Sequence, residues 1–321
     1  MTRILSICLA AGCLFLTACD EPFEPKGPFE ERLVVYGLLS TLTDTQYVRV
    51  YTTYNPDGFD PFTNVNDKQV GGATISLVSA QGTLLYRDTA ITRADQSRYT
   101  SDISPYILTP YRPTPGATYR LDVQLPSGKT ASGTVSVPDR GSVSVSTVHI
   151  VEAPGSYTED VRLEARISAK TRGLLVRMYI EFEVSQGAVT ELKRVEVPSR
   201  VRGFGESEIV EATYPTLQRR VSTSSGNLER IEFITFQREA YLTLLADFAT
   251  AYSGWNIKRK RAYFVLWQAE PNLYNYYNIV NGFRDEISIR TDEPDFTAMD
   301  GALGIFGAMT VDTTFYTYRP Q

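Results

Sequence analysis

The chain has 321 residues, with 37 acidic and 32 basic side chains for a net charge of −5, one histidine and three cysteines. This balance argues against nucleic-acid binding, which wants a basic face, and a lone imidazole excludes any two-histidine metal motif. The 20 tyrosines, 22 glycines and 17 prolines, set among Val, Thr and Ser runs, predict mainly β structure, and the length predicts two domains.

Residues 1–18 read as an export signal: Arg3 beside the amino terminus, an apolar run from Ile4 to Leu16, then small residues. The run is shorter than the roughly 20 apolar residues that a membrane-spanning helix needs. It ends Leu16-Thr17-Ala18-Cys19, which looks like a bacterial lipobox, in which the Cys19 thiol becomes a thioether to diacylglycerol. Cys8 and Cys13 lie within the leader and leave with it. Processing at Cys19 leaves no second thiol, which excludes a disulfide framework and a cysteine-ligated zinc site. A diacylated terminus anchors the protein to a membrane without spanning it. Residues 19–31, rich in Asp, Glu and Pro, form a stretched tether. About a dozen residues at about 3.3 Å each reach about 40 Å from the bilayer.

From Arg32 the pattern is short strands. "RLVVYGLL" is followed by "YVRVYTTY", in which Val48, Val50 and Thr52 face one way and Arg49 and Tyr51 the other. A polar loop leads to "GATISLVSA", a Gln81-Gly82 turn and "TLLYRDTA", a hairpin. "SRYTSDI" reads as a strand and "SPYILTPYRPTPG" as a loop. Tyr119, Leu121, Val123 and Leu125 then share a face ahead of the Pro126–Lys129 turn. About seven strands with regular turns predict an Ig-like or transthyretin-like sandwich over 32–139. "VPDRGS" (137–142) is the linker.

Residues 140–321 predict an antiparallel β-rich domain with two helices. Val161, Leu163, Ala165 and Ile167 form one face, as do Leu174, Val176, Met178, Ile180, Phe182 and Val184. "SRVRGFGESE" reads as a loop. "QREAYLTLLADFAT" carries Tyr241, Leu244, Leu245 and Phe248 on a helical stripe. "EPNLYNYYNIVNGF" opens at Pro271, sets Leu273, Tyr276, Tyr277 and Val280 at helical spacing, and closes at Gly282. "RAYFVLWQA" between them is a buried strand, and "EISIRT" and "TVDTTFYTY" are the closing strands.

The chain offers few groupings that carry chemistry. His149 sits in phase with Val143, Val145 and Thr147 on a strand, with no Gly-x-Ser-x-Gly to partner it. Asp285, Glu286, Asp292, Glu293, Asp295 and Asp300 supply the carboxylates that a glycosidase pair needs, and equally those of a solvated loop. Asn55, Asp57, Asp60, Asn66 and Asp67 offer hard oxygen donors for calcium without EF-hand spacing, and turn chemistry explains them as well. "GFGES" (203–207) lacks the Lys-Ser/Thr of a phosphate loop. Lys258, Arg259, Lys260 and Arg261 are the one basic run, a solvated strand entrance or a contact for an acidic partner or anionic headgroups. Tyr252, Trp255, Tyr274, Tyr276 and Tyr277 are core packing or a sugar-stacking platform. No cofactor motif is present, and no catalytic residue is assigned.

Lipobox, acidic tether, "LVVYG", "VGGATISLVSAQGTLLYRDT" and "PGATYRLDVQLPSGKTASGTVSVP" together resemble a Bacteroidota outer-membrane lipoprotein family that carries a domain of unknown function and is often encoded beside TonB-dependent receptors. "GALGIFGAM" (301–309) is similar to that family's Gly-x-Gly-x-Phe-Gly signature, with Ala302 and Leu303 between Gly301 and Gly304. The resemblance implies an envelope lipoprotein accessory to an outer-membrane β-barrel receptor. A surface glycan-binding or glycan-hydrolysing lipoprotein and a structural or adhesive module are the alternatives. Gly304 and Gly307 themselves suit a bulge or a close backbone approach.

Overall fold

The computed structural model describes residues 28–55, 65, 67–145, 160–204, 209–220, 230–282 and 297–318. The protein is mainly β, with several sheets and two helices. In chain order the strands are β1 (Leu33–Ser40), β2 (Gln46–Thr52), β3 (Thr74–Ser79), β4 (Gly82–Leu85), β5 (Arg87–Asp88), β6 (Tyr106–Leu108), β7 (Thr118–Gln124), β8 (Thr130–Ser136) and β9 (Ser142–Val145). They continue as β10 (Val161–Ile167), β11 (Gly173–Gln186), β12 (Val189–Val197), β13 (Arg200–Phe204), β14 (Ile209–Thr213), β15 (Gln218–Arg219) and β16 (Arg230–Phe236). Helix α1 (Arg238–Ala251), strand β17 (Asn256–Ala269), helix α2 (Pro271–Gly282) and strand β18 (Leu303–Thr317) complete the order. No helix among the described residues is long and apolar enough to cross a membrane.

One nine-stranded sheet runs through the molecule in the order β12-β11-β17-β18-β1-β2-β6-β5, with β15 paired to β11. Its inner face carries two cores. At one end Val35, Leu39, Val48, Val50 and Phe306 pack against Ile75, Leu77, Tyr119, Leu121 and Val123 of the four-stranded sheet β4-β3-β7-β8. At the other, Met178, Ile180, Phe182, Phe264 and Leu266 pack against Leu163, Ala165 and Phe236 of the three-stranded sheet β16-β10-β9 and against Tyr241 and Phe248 of α1. The alternations expected on β7, β10 and β11 are the faces buried here: Tyr119, Leu121 and Val123, Val161 to Ile167, and Leu174 to Val184. A period of two places every second side chain on one face, and burying that face is the main energy such a strand contributes.

Strand β18 joins the two cores. It lies between β17, antiparallel to it, and β1, parallel to it with Val34 opposite Leu303 and Ser40 opposite Met309. Along one of its faces Phe306 and Ala308 enter the first core, and Tyr316 packs against the second. Between them Thr310 Oγ1 donates to the Pro138 carbonyl (2.6 Å), and Asp312 accepts from Arg140 Nη1 (2.9 Å) and the Gly141 amide (2.8 Å). The segment 137–142, expected as a linker, is thus clasped against the sheet where the two cores meet. The strand pairs within residues 140–321 are antiparallel, as expected. The parallel β1/β18 pair instead joins this part of the chain to the first strand, to which the last one returns.

Four local expectations are corrected. Residues 104–116, read as a loop because of their prolines, contain β6, which joins the large sheet beside β2. "SRYTSDI" forms no strand; Ile103 alone makes a bridge, to Ile91. Residues 200–204 are strand β13, paired to β14, although Gly203 reads as loop. "TLLYRDTA" is two strands rather than one: β4 pairs with β3, Tyr86 is buried between the sheets, and β5 pairs with β6 in the large sheet.

Candidate functional site

The expected site residues separate when placed in the fold. His149, Asp57, Asp60, Asn66, the carboxylates from 285 to 295 and Cys19 lie outside the described residues. Asp67, the described aspartate of the calcium grouping, is ion-paired to Arg93 Nη2 and so is committed to a cation within the chain. Asp300 is exposed in a groove of about 430 Å³ on the outer face of the four-stranded sheet, near the Arg120–Asp122 pair (2.8 Å).

The basic run lies on β17, where the register slips between Glu181 and Phe182 of β11. This bulge exposes Lys260 and Arg261 together and turns Arg259 towards the inner face. There Arg259 donates to Tyr241 OH (3.4 Å), its Cζ lying 5.0 Å from the Tyr318 ring. Lys258 and Lys260 both reach Glu183, at 4.0 and 3.1 Å. Arg261 donates to Tyr263 OH (3.3 Å) and covers the Phe315 ring. The run is therefore a laced sheet face, with Lys258 and Lys260 sharing Glu183 of β11 and Arg261 exposed beside them.

The expected aromatic grouping also divides. Tyr252 stacks on Phe248 and meets Trp255 edge-on in the second core. On α2 the buried side chain is Tyr274, packed on Gly173, whereas Tyr277 is 38% exposed. The stripe expected at Leu273, Tyr276, Tyr277 and Val280 is thus rotated towards Tyr274, whose ring occupies the space that the missing side chain of Gly173 on β11 leaves; the Val280 side chain lies outside those described. Tyr276 meets Tyr36 of β1 edge-on, with ring centroids 6.1 Å apart.

Helix α2 is fixed at its start by Glu270, 3% exposed, whose carboxylate accepts from the amides of Asn272 and Leu273 (both 2.7 Å) and Ala308 (3.3 Å). Burial pushes this carboxyl above the ordinary glutamate range, against the pull of the three N–H donors. A raised folded pKa means that the folded state holds the proton more tightly. That stabilisation is complete below the unfolded value, about 4.3, and is lost as pH rises through the raised one. Unfolding titrations should show the wild type losing stability across that window, while Glu270→Gln follows a flatter curve. Parallel curves would refute the assignment.

A different set of side chains does converge. On the solvent face of the large sheet, Tyr36 of β1 and Arg49 and Tyr51 of β2 meet Tyr54, Asp67, Arg93 and Tyr99 around an open cavity of about 520 Å³. Arg49 and Tyr51 reach it because they alternate with the buried Val48 and Val50. The Arg49 Cζ lies 4.9 Å from the Tyr51 ring centroid, and Arg93 and Arg98 flank Tyr99 at 5.2 and 4.8 Å. Burial lowers the Arg49 pKa; Asp67 opposes that shift and Arg93 adds to it. The outward phase of Arg49 and Tyr51 was legible in "YVRVY". The arrival of residues 93–99 beside them was not, since no periodicity links segments 40 residues apart.

Fold and cavity together define a β-sandwich-type protein with an arginine- and tyrosine-lined recess on the outer face of its large sheet, beside helix α2. The chain belongs to the family described as Domain of unknown function (DUF4249), whose sequence profile matches residues 20–314. No curated protein matches it.

Proposed function

We propose that this chain is a lipid-anchored binding protein of the cell envelope, an accessory to an outer-membrane receptor of the TonB-dependent type. The observation that carries the reading is the cavity on the large sheet. Its lining is rich in guanidinium, phenol and threonine hydroxyl, the groups of recognition, and the described carboxylate, Asp67, is already paired to Arg93. The lipobox-like run ending at Cys19 and the tether behind it support placement at a membrane with the folded body held away from it. The resemblance to Bacteroidota lipoproteins encoded beside such receptors supports the choice of partner. The exposed side of β17, with Lys258, Lys260 and Arg261, is the proposed contact for acidic receptor loops.

The test is detergent extraction of the native protein after crosslinking, with partners identified by mass spectrometry. Stoichiometric recovery of a β-barrel receptor is expected, and recovery of this chain alone overturns the accessory reading. In cell fractionation, Cys19→Ser should move the protein from the membrane to the soluble fraction; retention in the membrane would refute lipid anchoring.

The same cavity favours a second reading, a glycan-binding surface lipoprotein, because tyrosine faces beside hydroxyls and a cation suit a sugar ring.

A further inference from the structure

We infer that the cavity on the solvent face of the large sheet binds an acidic saccharide, its carboxylate held by Arg49 and its ring laid against the tyrosine walls. The inference rests on the reading of this chain as a binding protein and names the ligand of that site.

Charge is the first argument. Among the described residues, Arg49, Arg93 and Lys68 line the cavity against the single carboxylate of Asp67. Asp67 is taken up by Arg93. Arg49 makes no ion pair among the described residues, and its Nε is enclosed without a hydrogen-bond partner. A guanidinium drawn partly out of water, whose nearest carboxylate, Asp67, is ion-paired to a second arginine, is a prepared site for a planar anion, because its fork of N–H donors fits both oxygens of a carboxylate. The hydroxyl of Tyr51, a residue of the same cavity lining, is likewise enclosed and unpartnered. Buried polar groups are almost always hydrogen-bonded, so two orphans on neighbouring lining residues suit a ligand that offers both an anion and neutral hydrogen-bonding groups, met by a small turn of each side chain toward the cavity.

Shape is the second argument. Four phenol rings line the wall, from Tyr36, Tyr51, Tyr54 and Tyr99. A ring of this kind is apolar on its face and polar at its tip. A pyranose has the complementary pattern, with C–H faces and a rim of hydroxyls. An acyl chain or a leucine-rich peptide would need aliphatic walls, and here Val34 is the aliphatic contribution. The volume of about 520 Å³ falls within the roughly 300–1,000 Å³ of small-ligand sites. A uronic acid satisfies every element at once: carboxylate to Arg49, hydroxyl to Tyr51, ring face to phenol.

The test uses the full chain in detergent micelles and isothermal titration with digalacturonic acid, neutral galactobiose, acetate and inorganic phosphate. Saturable binding of digalacturonic acid is expected, at least tenfold tighter than galactobiose. Arg49→Met should weaken it at least tenfold with no loss of melting temperature, Arg49→Lys should restore only part, and Tyr51→Phe should weaken it several-fold. Equal affinity for the neutral disaccharide, or undiminished binding by Arg49→Met, overturns the inference. So does binding of phosphate or acetate as tight as that of the sugar acid, which would make the cavity a simple anion site. Absence of saccharide binding while a receptor still co-purifies overturns this ligand class and leaves the accessory reading standing. Binding of digalacturonic acid by a chain that recovers no receptor does the reverse.

Discussion

Gly304→Ala is expected to cost about 3–5 kcal/mol of folding stability, among the largest effects of any single substitution in this chain. Gly304 has φ +102°, a conformation that side-chain-bearing residues occupy at a cost of about 1–3 kcal/mol. It also stands opposite Val35 in the parallel β1/β18 pair. A Cβ there would overlap the Val35 carbonyl oxygen and lie 3.0 Å from its carbon. Backbone cannot step aside as a side-chain tip can, so β1 and β18 would have to separate where both feed the first core. Gly82→Ala is the matched control, with φ +130° and nothing within 4 Å of the added carbon. Denaturant unfolding should show Gly304→Ala more than about 2 kcal/mol less stable than Gly82→Ala, the excess being overlap beyond shared strain. Equal losses would mean that the close approach contributes nothing.

Gln268→Ala should be comparably severe, at about 3–5 kcal/mol, since it leaves several buried polar groups unpaired at about 1–3 kcal/mol each. Gln268 is fully buried on β17. Its Oε1 accepts from the Ser168 amide (2.7 Å) and Thr171 Oγ1 (2.9 Å), and its Nε2 donates to the Asp139 carbonyl (3.1 Å). The side chain thus ties the 137–142 crossing and the β10–β11 turn to the sheet. Gln268→Leu, similar in volume, should lose nearly as much, because the cost lies in the stranded donors rather than in a cavity. Calorimetry checks this directly: a loss under about 1 kcal/mol for either variant would show that the groups find other partners. A splitting of one melting transition into two would show that this junction couples the two cores.

The resolving power of the sequence varied from element to element for physical reasons. Along β11 every second residue from Leu174 to Val184 is apolar and every one is buried. The register of a half-wet strand is a local property, so it can be read from ten residues. The turn at Pro126–Lys129 and the hairpin at Gln81-Gly82 were equally legible, because turn geometry requires particular residues within four positions. Residues 106–108 misled because the prolines on either side read as loop, while the strand between them is held by pairing with β2. The basic run was legible only in part: its four charges are adjacent in sequence, yet a bulge and Glu183 of β11 decide where they point and what they meet.

The sequence by itself determined the β class, the inward faces of the long strands, the two helices and the outward phase of Arg49 and Tyr51. All of these follow from periodicity and turn chemistry within a short window. Only the tertiary structure decided that the last strand lies between β17 and β1, that segment 137–142 is clasped by Thr310, Gln268 and Asp312, and that Arg93 and Tyr99 close a cavity beside Arg49. Each of these unites residues tens to hundreds of positions apart. Hydrophobic alternation says which face of a strand is buried but not which strand will lie beside it, because backbone hydrogen bonds pair any two edges alike. The choice is made by how whole faces fill the two cores, and that is a property of the assembled sheet.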